Sequence, residues 1–231
     1  QDISDFIDIK LRKRTATKKE VQRLQNKFLN ADELKSCLQQ LKEINPRIGL
    51  AMEFIALTGL RCGELLALRV QDYYKDKSII NINGTIIKSA RNGEDTQRGT
   101  PKNSYSYRDV IINDRAKYIL DSIILENKKL ASWNSKKYKD KGYIFTTSTG
   151  NPFNIQYINT KLRKIKLADK KISTHIFRHT HISILSELGL PLKSIMQRVG
   201  HNDPKTTLSI YTHVTNNMNN EMKDKLKALS F

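Results

Sequence analysis

Cysteine is scarce in this 231-residue chain, which has only Cys37 and Cys62. The two make no metal-type spacing, and a chain of this length buries a hydrophobic core without staples. A disulfide-built secreted scaffold is therefore excluded, and a reducing cytoplasm is the expected setting. Long apolar runs are missing too. No stretch approaches the roughly 18 consecutive apolar residues of a membrane-spanning helix, and the start lacks the basic-then-apolar pattern of a signal peptide. Acidic residues are in deficit, 23 Asp plus Glu against 41 Lys plus Arg, and the resulting charge of +18 is spread along the whole length. A polyanion is the natural partner. Nucleic acid ranks ahead of an anionic membrane, which selects a strongly basic amphipathic helix that is not evident here.

Glycine and proline, 10 and 5 in number, are few enough to read as punctuation. The sequence begins at Gln1 rather than Met, which suggests a fragment or a processed chain. Residues 10–27 are basic, poor in large apolar side chains and free of Pro and Gly, as in a solvated linker or an arm lying on a polyanion. Asn30 or Asp32 is placed to cap a helix carrying Leu34, Leu38 and Leu41. Pro46 opens a second helix, with Leu50, Phe54 and Leu57 on one stripe and Gly59 placed to stop it in the left-handed conformation. Arg61 then starts a helix carrying Leu65, Leu66 and Leu68. A cation there opposes the helix dipole, which points to an anionic ligand, with pairing to Glu64 at i, i+3 as the alternative.

From Ser78 to Asn113 the texture turns to β: Ile79, Ile80 and Ile82, then Thr85, Ile86 and Ile87, then Tyr105, Tyr107, Val110, Ile111 and Ile112. A small antiparallel sheet is expected, and the polar stretch RNGEDTQRGTPKNSYS puts Lys102 on or beside an exposed hairpin turn. Asp114 is expected to cap a helix carrying Tyr118, Ile119, Ile123 and Ile124, followed by a polar, lysine-rich segment over 126–141. Tyr143 to Phe145 read as a short strand or loop. Pro152 and Asn154 introduce a helix ending in the densest positive patch of the chain: Lys161, Arg163, Lys164, Lys166, Lys170 and Lys171.

All five histidines fall between His175 and His213. Ser173 or Thr174 caps a helix running through Arg178 toward Gly189, Pro191 and Gly200 bracket a second, and Asp203 and Pro204 start a third. His175 and Arg178 share a face at i, i+3, while His179 sits one step round, toward the core. His201 follows a glycine at a helix end, where a side chain can be aimed at a ligand. Tyr211 lies within or after the third helix. His175 and His179 have zinc-face spacing, but no Glu lies between them as general base and no thiolate is near, so no metal is expected. The G-x-S-x-G elbow of acyl transfer is missing. Arg61, Lys102, His175, Arg178, His201 and Tyr211 are instead what metal-free attack on a phosphodiester requires. Two arginines neutralise the non-bridging oxygens, a tyrosine attacks, histidines move protons and a lysine protonates the leaving alkoxide.

Four motifs carry a resemblance: ALTGLRCGELLAL (Ala56 to Leu68), TPKNSYSYRDVII (Thr100 to Ile112), THIFRHTHIS (Thr174 to Ser183) and VGHNDPKTTLSIYTHV (Val199 to Val214). In order and spacing they resemble the catalytic domain of tyrosine recombinases, the phage-integrase family, and the TPK turn is similar to that of integrases from Gram-positive phages and conjugative elements. The resemblance implies an α+β, mainly α fold, a helical catalytic domain with a small three-stranded antiparallel sheet. It implies that Tyr211 attacks DNA to give a 3′-phosphotyrosyl bond, with neither metal, ATP nor other cofactor. Arg61 and Arg178 would clamp the phosphate and Lys102 would be the general acid. His175 would be the base and His201 a phosphate ligand; Glu64 would steady Arg61, and His179 and His213 would be structural.

The implied organisation is a linker, or the remnant of a core-binding domain, over 1–29, a catalytic domain over 30–214 and a tail helix over 215–231, exchanged between protomers or packed on its own domain. The implied partners are double-stranded DNA, met partly through Lys161, Arg163, Lys164 and Lys166, a homotetramer on that DNA, and an accessory excisionase or DNA-bending host factor. The implied place is the bacterial cytoplasm. Relaxation of supercoils in the manner of a type IB topoisomerase, or DNA binding without catalysis, are the competing expectations.

Overall fold

The computed structural model describes residues 18–88, 96–100, 106–167, 170–201 and 204–227. The chain starts with helix α1 (Lys18–Gln25), followed by α2 (Ala31–Ile44), α3 (Pro46–Thr58) and α4 (Cys62–Ala67). Their boundaries follow local chemistry. Asn30 caps α2 in a capping box with Glu33, each side chain accepting from the other residue's backbone N–H at 2.9 Å. Asn45 caps α3 ahead of Pro46. Gly59 ends α3 at φ 71, where a side chain would be strained.

Strands β1 (Tyr73–Tyr74), β2 (Ile79–Ile82) and β5 (Arg108–Ile111) form the expected three-stranded antiparallel sheet, in the order β1-β2-β5. The register pairs Tyr73 with Ile80 and Ile80 with Val110. The Thr85 run behaves differently from a third strand of that sheet. As β3 (Thr85–Lys88) it pairs with β4 (Gln97–Gly99) in a separate two-stranded ribbon, irregular between Ile86 and Lys88. Arg98 fastens this ribbon to the end of α4 by donating Nε–H to the Ala67 carbonyl at 3.1 Å. The vacated edge is filled by Tyr73 and Tyr74, two β-prone aromatics too short a run to stand out in the sequence. The turn expected to carry Lys102 lies outside the described residues.

Helix α5 (Asp114–Trp133) is capped by Asn113, whose side chain accepts from Ala116 N–H at 2.9 Å; Asp114 is instead the first helical residue, where its charge favours the dipole. The helix also reaches well into the lysine-rich segment, because Glu126, Lys128, Lys129, Leu130 and Ala131 are strong helix formers. Helices α6 (Ile155–Leu162), α7 (Thr174–Glu187), α8 (Leu192–Val199) and α9 (Lys205–Lys227) complete the chain. Asn154 caps α6, and Gly200 closes α8 at φ 68. Among the described residues no helix is long and apolar enough to cross a membrane.

Two apolar clusters organise these elements. The larger joins α2 to α6 and the sheet to Ile176 and Phe177 of α7. The smaller is Ile182, Ile195, Val199, Ile210 and Val214, from α7, α8 and α9. Helix α7 contributes to both, so side chains on it between Phe177 and Ile182 lie at the seam. Residues just before α2 are tied to α7 and to the segment that precedes it: Leu29 N–H donates to Thr180 Oγ1 at 2.9 Å, and Lys170 Nζ donates to the Phe28 carbonyl at 2.9 Å.

Candidate active site

The centre of the site is the C-terminal end of α8. A helix leaves its last carbonyls without intrahelical partners and carries partial negative charge there. Three arginines from different parts of the chain take these carbonyls in succession. Arg108 Nε donates to Arg198 O at 2.7 Å, Arg178 NH2 to Val199 O at 2.6 Å, and Arg61 NH2 to Gly200 O at 2.7 Å. Arg178 also donates to the Gly59 carbonyl, so one guanidinium joins the end of α3 to the end of α8.

Each arginine is delivered by its element. Arg61 is the N-cap residue of α4, just past the left-handed Gly59, which turns the chain toward α8. Arg178 lies at the seam on α7, only 2% exposed. Arg108 opens β5 on the face shared with buried Val110 and Ile112.

The carboxylate placed among them is Glu64, buried at 3% exposure. Its Oε1 accepts from Arg61 NH1 at 2.7 Å and its Oε2 from Arg108 NH2 at 2.9 Å, while the Arg61 backbone N–H reaches Oε2 at 3.0 Å. Burial alone would raise this carboxyl, but the Arg108 charge and hydrogen bond, the Arg61 N–H and Arg178 outweigh it and hold the pKa below the ordinary value. The stabilising pair at i, i+3 and an anion-seeking arginine are thus both present at Arg61. Burial, then Arg61, pushes the Arg178 guanidinium down to about 9, which leaves it charged at neutral pH. Three guanidiniums against one carboxylate favour an added anion, and Arg61 and His175 are the more open members toward which it would approach.

His175 lies one turn ahead of Arg178 on α7, and its pKa is lowered by lost hydration and then by Arg178 and Arg61. His201 follows Gly200 and places Nδ1 at 2.5 Å from Thr207 Oγ1, at the start of α9. Burial, followed by Arg178 and Arg61, pushes it down to about 3, so it is a neutral imidazole. Tyr211 comes one turn after Thr207, half-buried against the smaller apolar cluster. It packs against that cluster, and among the described residues no hydrogen bond joins its side chain to the arginines, His175 or His201. Lys102 lies outside the described residues.

His179 faces the segment before α2 rather than the core. Its Nδ1 lies 3.1 Å from the Lys27 carbonyl, and burial pushes its pKa down to about 4. His213 packs against Phe28 in a tilted arrangement, 6.0 Å between ring centroids and 57° between planes. His181, unassigned by sequence, is buried with Nδ1 at 2.8 Å from Ala56 O, and Arg198 Nε donates to its Nε2 at 2.9 Å. Of the basic patch, Arg163, Lys164 and Lys166 are exposed and Lys161 lies over the Tyr157 ring, but Lys170 is committed to an ion pair with Glu33 at 2.5 Å. Among the described residues no group of three or more His, Cys, Asp or Glu is gathered as metal ligands would be.

Sequence reasoning missed Arg108, Arg198 and Thr207. A signal existed for Arg108: strand alternation places it with Val110 and Ile112, and a charge on the core face of a strand needs a partner. The other two carry no such signal.

Residues 27–218 match the phage integrase family. The chain is 46% identical over 184 residues to the integrase of Staphylococcus phage L54a, covering 78% of this chain and 52% of the relative. It is 40% identical over 225 residues to the prophage ps2 probable integrase of Lactococcus lactis subsp. lactis strain IL1403, covering 94% and 58%. It therefore spans between half and three-fifths of the length of these curated relatives. The fold resembles that of the Tn1549 transposon integrase solved in complex with transposon right end DNA, with a TM-score of 0.66 at 20% identity over 87% of this chain and 66% of that one. It also resembles that of the XerA recombinase, with a TM-score of 0.61 at 23% identity over 88% and 64%. With four motifs in order, a family match over most of its length and this fold, the chain belongs to the phage integrase family.

Proposed function

We propose that the chain is the catalytic domain of a site-specific DNA recombinase that cuts and rejoins double-stranded DNA through a 3′-phosphotyrosyl link to Tyr211. The observation that carries this reading is the meeting of Arg61, Arg178 and the neutral His201 at the end of α8, where guanidinium charge exceeds carboxylate charge. Relatives described as integrases, and a fold neighbour solved with DNA, support it.

Arg61 and Arg178 clamp the non-bridging oxygens, and their charge grows in value as the pentavalent centre forms. His201 adds a hydrogen bond from its Nε2–H when Nδ1 accepts from Thr207. The Tyr211 oxygen attacks phosphorus while its proton passes to His175. The bond to the 5′ oxygen breaks, and Lys102 supplies the proton that makes it a hydroxyl. A 5′-hydroxyl from a second strand reverses these steps, so bond energy is conserved without ATP, metal or other cofactor. Glu64 holds Arg61, and His179 fastens α7 to the preceding segment.

Residues 1–29 are read as linker or core-binding remnant, 30–214 as the catalytic unit and 215–231 as a tail. Lys161, Arg163, Lys164 and Lys166 supply non-specific phosphate contacts. A homotetramer on DNA, aided by an excisionase or a DNA-bending host factor in the bacterial cytoplasm, completes the reading. The test is incubation of the full-length protein with nicked suicide DNA carrying its own recombination site. An SDS-stable protein–DNA adduct is expected, and its absence would count against the assignment.

A further inference from the structure

We propose that Arg108 is a positioning residue for the phosphate clamp: it fixes Glu64 and the end of α8, and it keeps Arg61 available to an anion. The proposal deepens the recombinase reading above and rests on it.

The geometry uses all three guanidinium nitrogens. Nε donates to Arg198 O of α8 at 2.7 Å, NH1 to Ser106 O ahead of β5 at 2.9 Å, and NH2 to Glu64 Oε2 of α4 at 2.9 Å. One planar group thus locks together the three elements that meet at the site. The Arg108 side chain is only 8% exposed and that of Glu64 only 3%, so the pair is shielded from solvent and stays ordered. A lysine ammonium, with one nitrogen on a flexible stem, cannot span these acceptors.

The second consequence is charge. Glu64 and Arg61 alone would neutralise each other, leaving Arg178, only 2% exposed, to attract an anion. Adding Arg108 leaves the trio one positive charge in excess, and Arg61 is its more exposed member, 35% by side chain against 8% for Arg108. Arg61 and Arg108 accordingly divide Glu64: each oxygen accepts from both residues, Oε1 at 2.7 and 3.4 Å and Oε2 at 3.0 and 2.9 Å. Burial first, then Arg178 and Arg61, keep the nearby His201 neutral, and Arg108 adds the smallest contribution in the same direction. Removing Arg108 would lower the positive excess around Glu64 by one charge and release the Arg198 carbonyl, while Arg178 and Arg61 still hold those of Val199 and Gly200.

The test is single-turnover adduct formation by the full-length protein on nicked suicide DNA, with DNA affinity measured in parallel. Arg108→Lys is expected to lower the maximal adduct rate at saturating DNA by about 10- to 100-fold. DNA affinity should change by less than about threefold, because most of it comes from phosphate contacts elsewhere. Glu64→Asp, which withdraws the carboxylate by one methylene and leaves Arg108 in place, serves where Arg108→Lys does not fold, and the same split is expected. The double variant is expected to be no slower than the slower single one, since both break one unit. An unchanged rate in both variants, losses that multiply, or affinity falling in step with rate would overturn the proposal while the recombinase reading stands. Wild-type protein that forms no adduct would overturn both.

Discussion

Thr207 places its hydroxyl oxygen 2.5 Å from His201 Nδ1. The bond joins the residue after α8 to the first turn of α9, one turn ahead of Tyr211, so the imidazole that faces the arginines is tied to the helix that carries the proposed nucleophile. Thr207 is fully buried, which protects the bond from competing water. Thr207→Val keeps the shape, removes the hydroxyl and frees the ring. The adduct rate on suicide DNA is expected to fall about tenfold, the scale of one lost charge-orienting hydrogen bond, while Thr207→Ser retains most of it.

Acid should destabilise the fold before it reaches the carboxylates. Burial, then the Arg198 charge, pushes His181 from 6.5 down to about 3, against the opposing effect of the Ala56 carbonyl. Its folded-state pKa is depressed, so the unfolded chain binds the proton first. Stability is full above 6.5 and is lost as pH falls from there toward 3. One such group contributes a slope of up to about 1.4 kcal/mol per pH unit, and His201 adds in the same direction. Thermal midpoints between pH 7 and 5 are expected to drop in wild type and to drop less steeply in His181→Asn. Equal slopes would show that His181 is not the group responsible.

Gly59→Ala meets two obstacles at one position. The backbone sits at φ 71, and an added Cβ would lie 2.5 Å from His181 Cδ2 and 2.9 Å from Val199 Cγ1. A loss of roughly 2–4 kcal/mol in chemical denaturation is expected from strain and overpacking together. Because the Gly59 carbonyl accepts from Arg178, the folded variant should also form adduct more slowly at temperatures well below its midpoint.

The proposed base has its own pH dependence. Lost hydration, then Arg178 and Arg61, lowers the His175 pKa, so the ring is neutral and able to accept a proton at pH 7. The single-turnover rate is expected to hold through neutrality and to fall at acid pH, with an inflection below the ordinary imidazole value. His175→Gln should be slow and lack that inflection. A bound phosphate would move the inflection upward by favouring the charged ring.

How much of this was legible in the sequence follows from the range of the forces involved. Asn30, Pro46, Gly59, Asn154 and Gly200 act on their immediate neighbours, and each sits where local reading puts it. Asn113 and Asp114 were harder to separate, since either can accept from a free N–H and the outcome depends on backbone geometry one residue wide. Thr85–Lys88 pairs with Gln97–Gly99, and Arg98 fastens that ribbon to Ala67, a contact between segments 31 residues apart that strand patterning does not report. Family motifs single out Arg61, Arg178 and His201, and pair Arg61 with Glu64, but do not give the rest of what they hold. The acceptors are mainly backbone carbonyls at the end of α8, which leave no trace in residue identity. The interlock of Arg108 with Glu64 is visible only once β5 and α4 are side by side.

The most direct measurement compares wild type with Tyr211→Phe on nicked suicide DNA, recording the SDS-stable adduct and DNA affinity together. Wild type is expected to form the adduct, and Tyr211→Phe to bind DNA within about twofold of wild type yet form none, since a lost hydroxyl removes the nucleophile and little binding energy. An adduct that persists in Tyr211→Phe would contradict the assignment of the nucleophile.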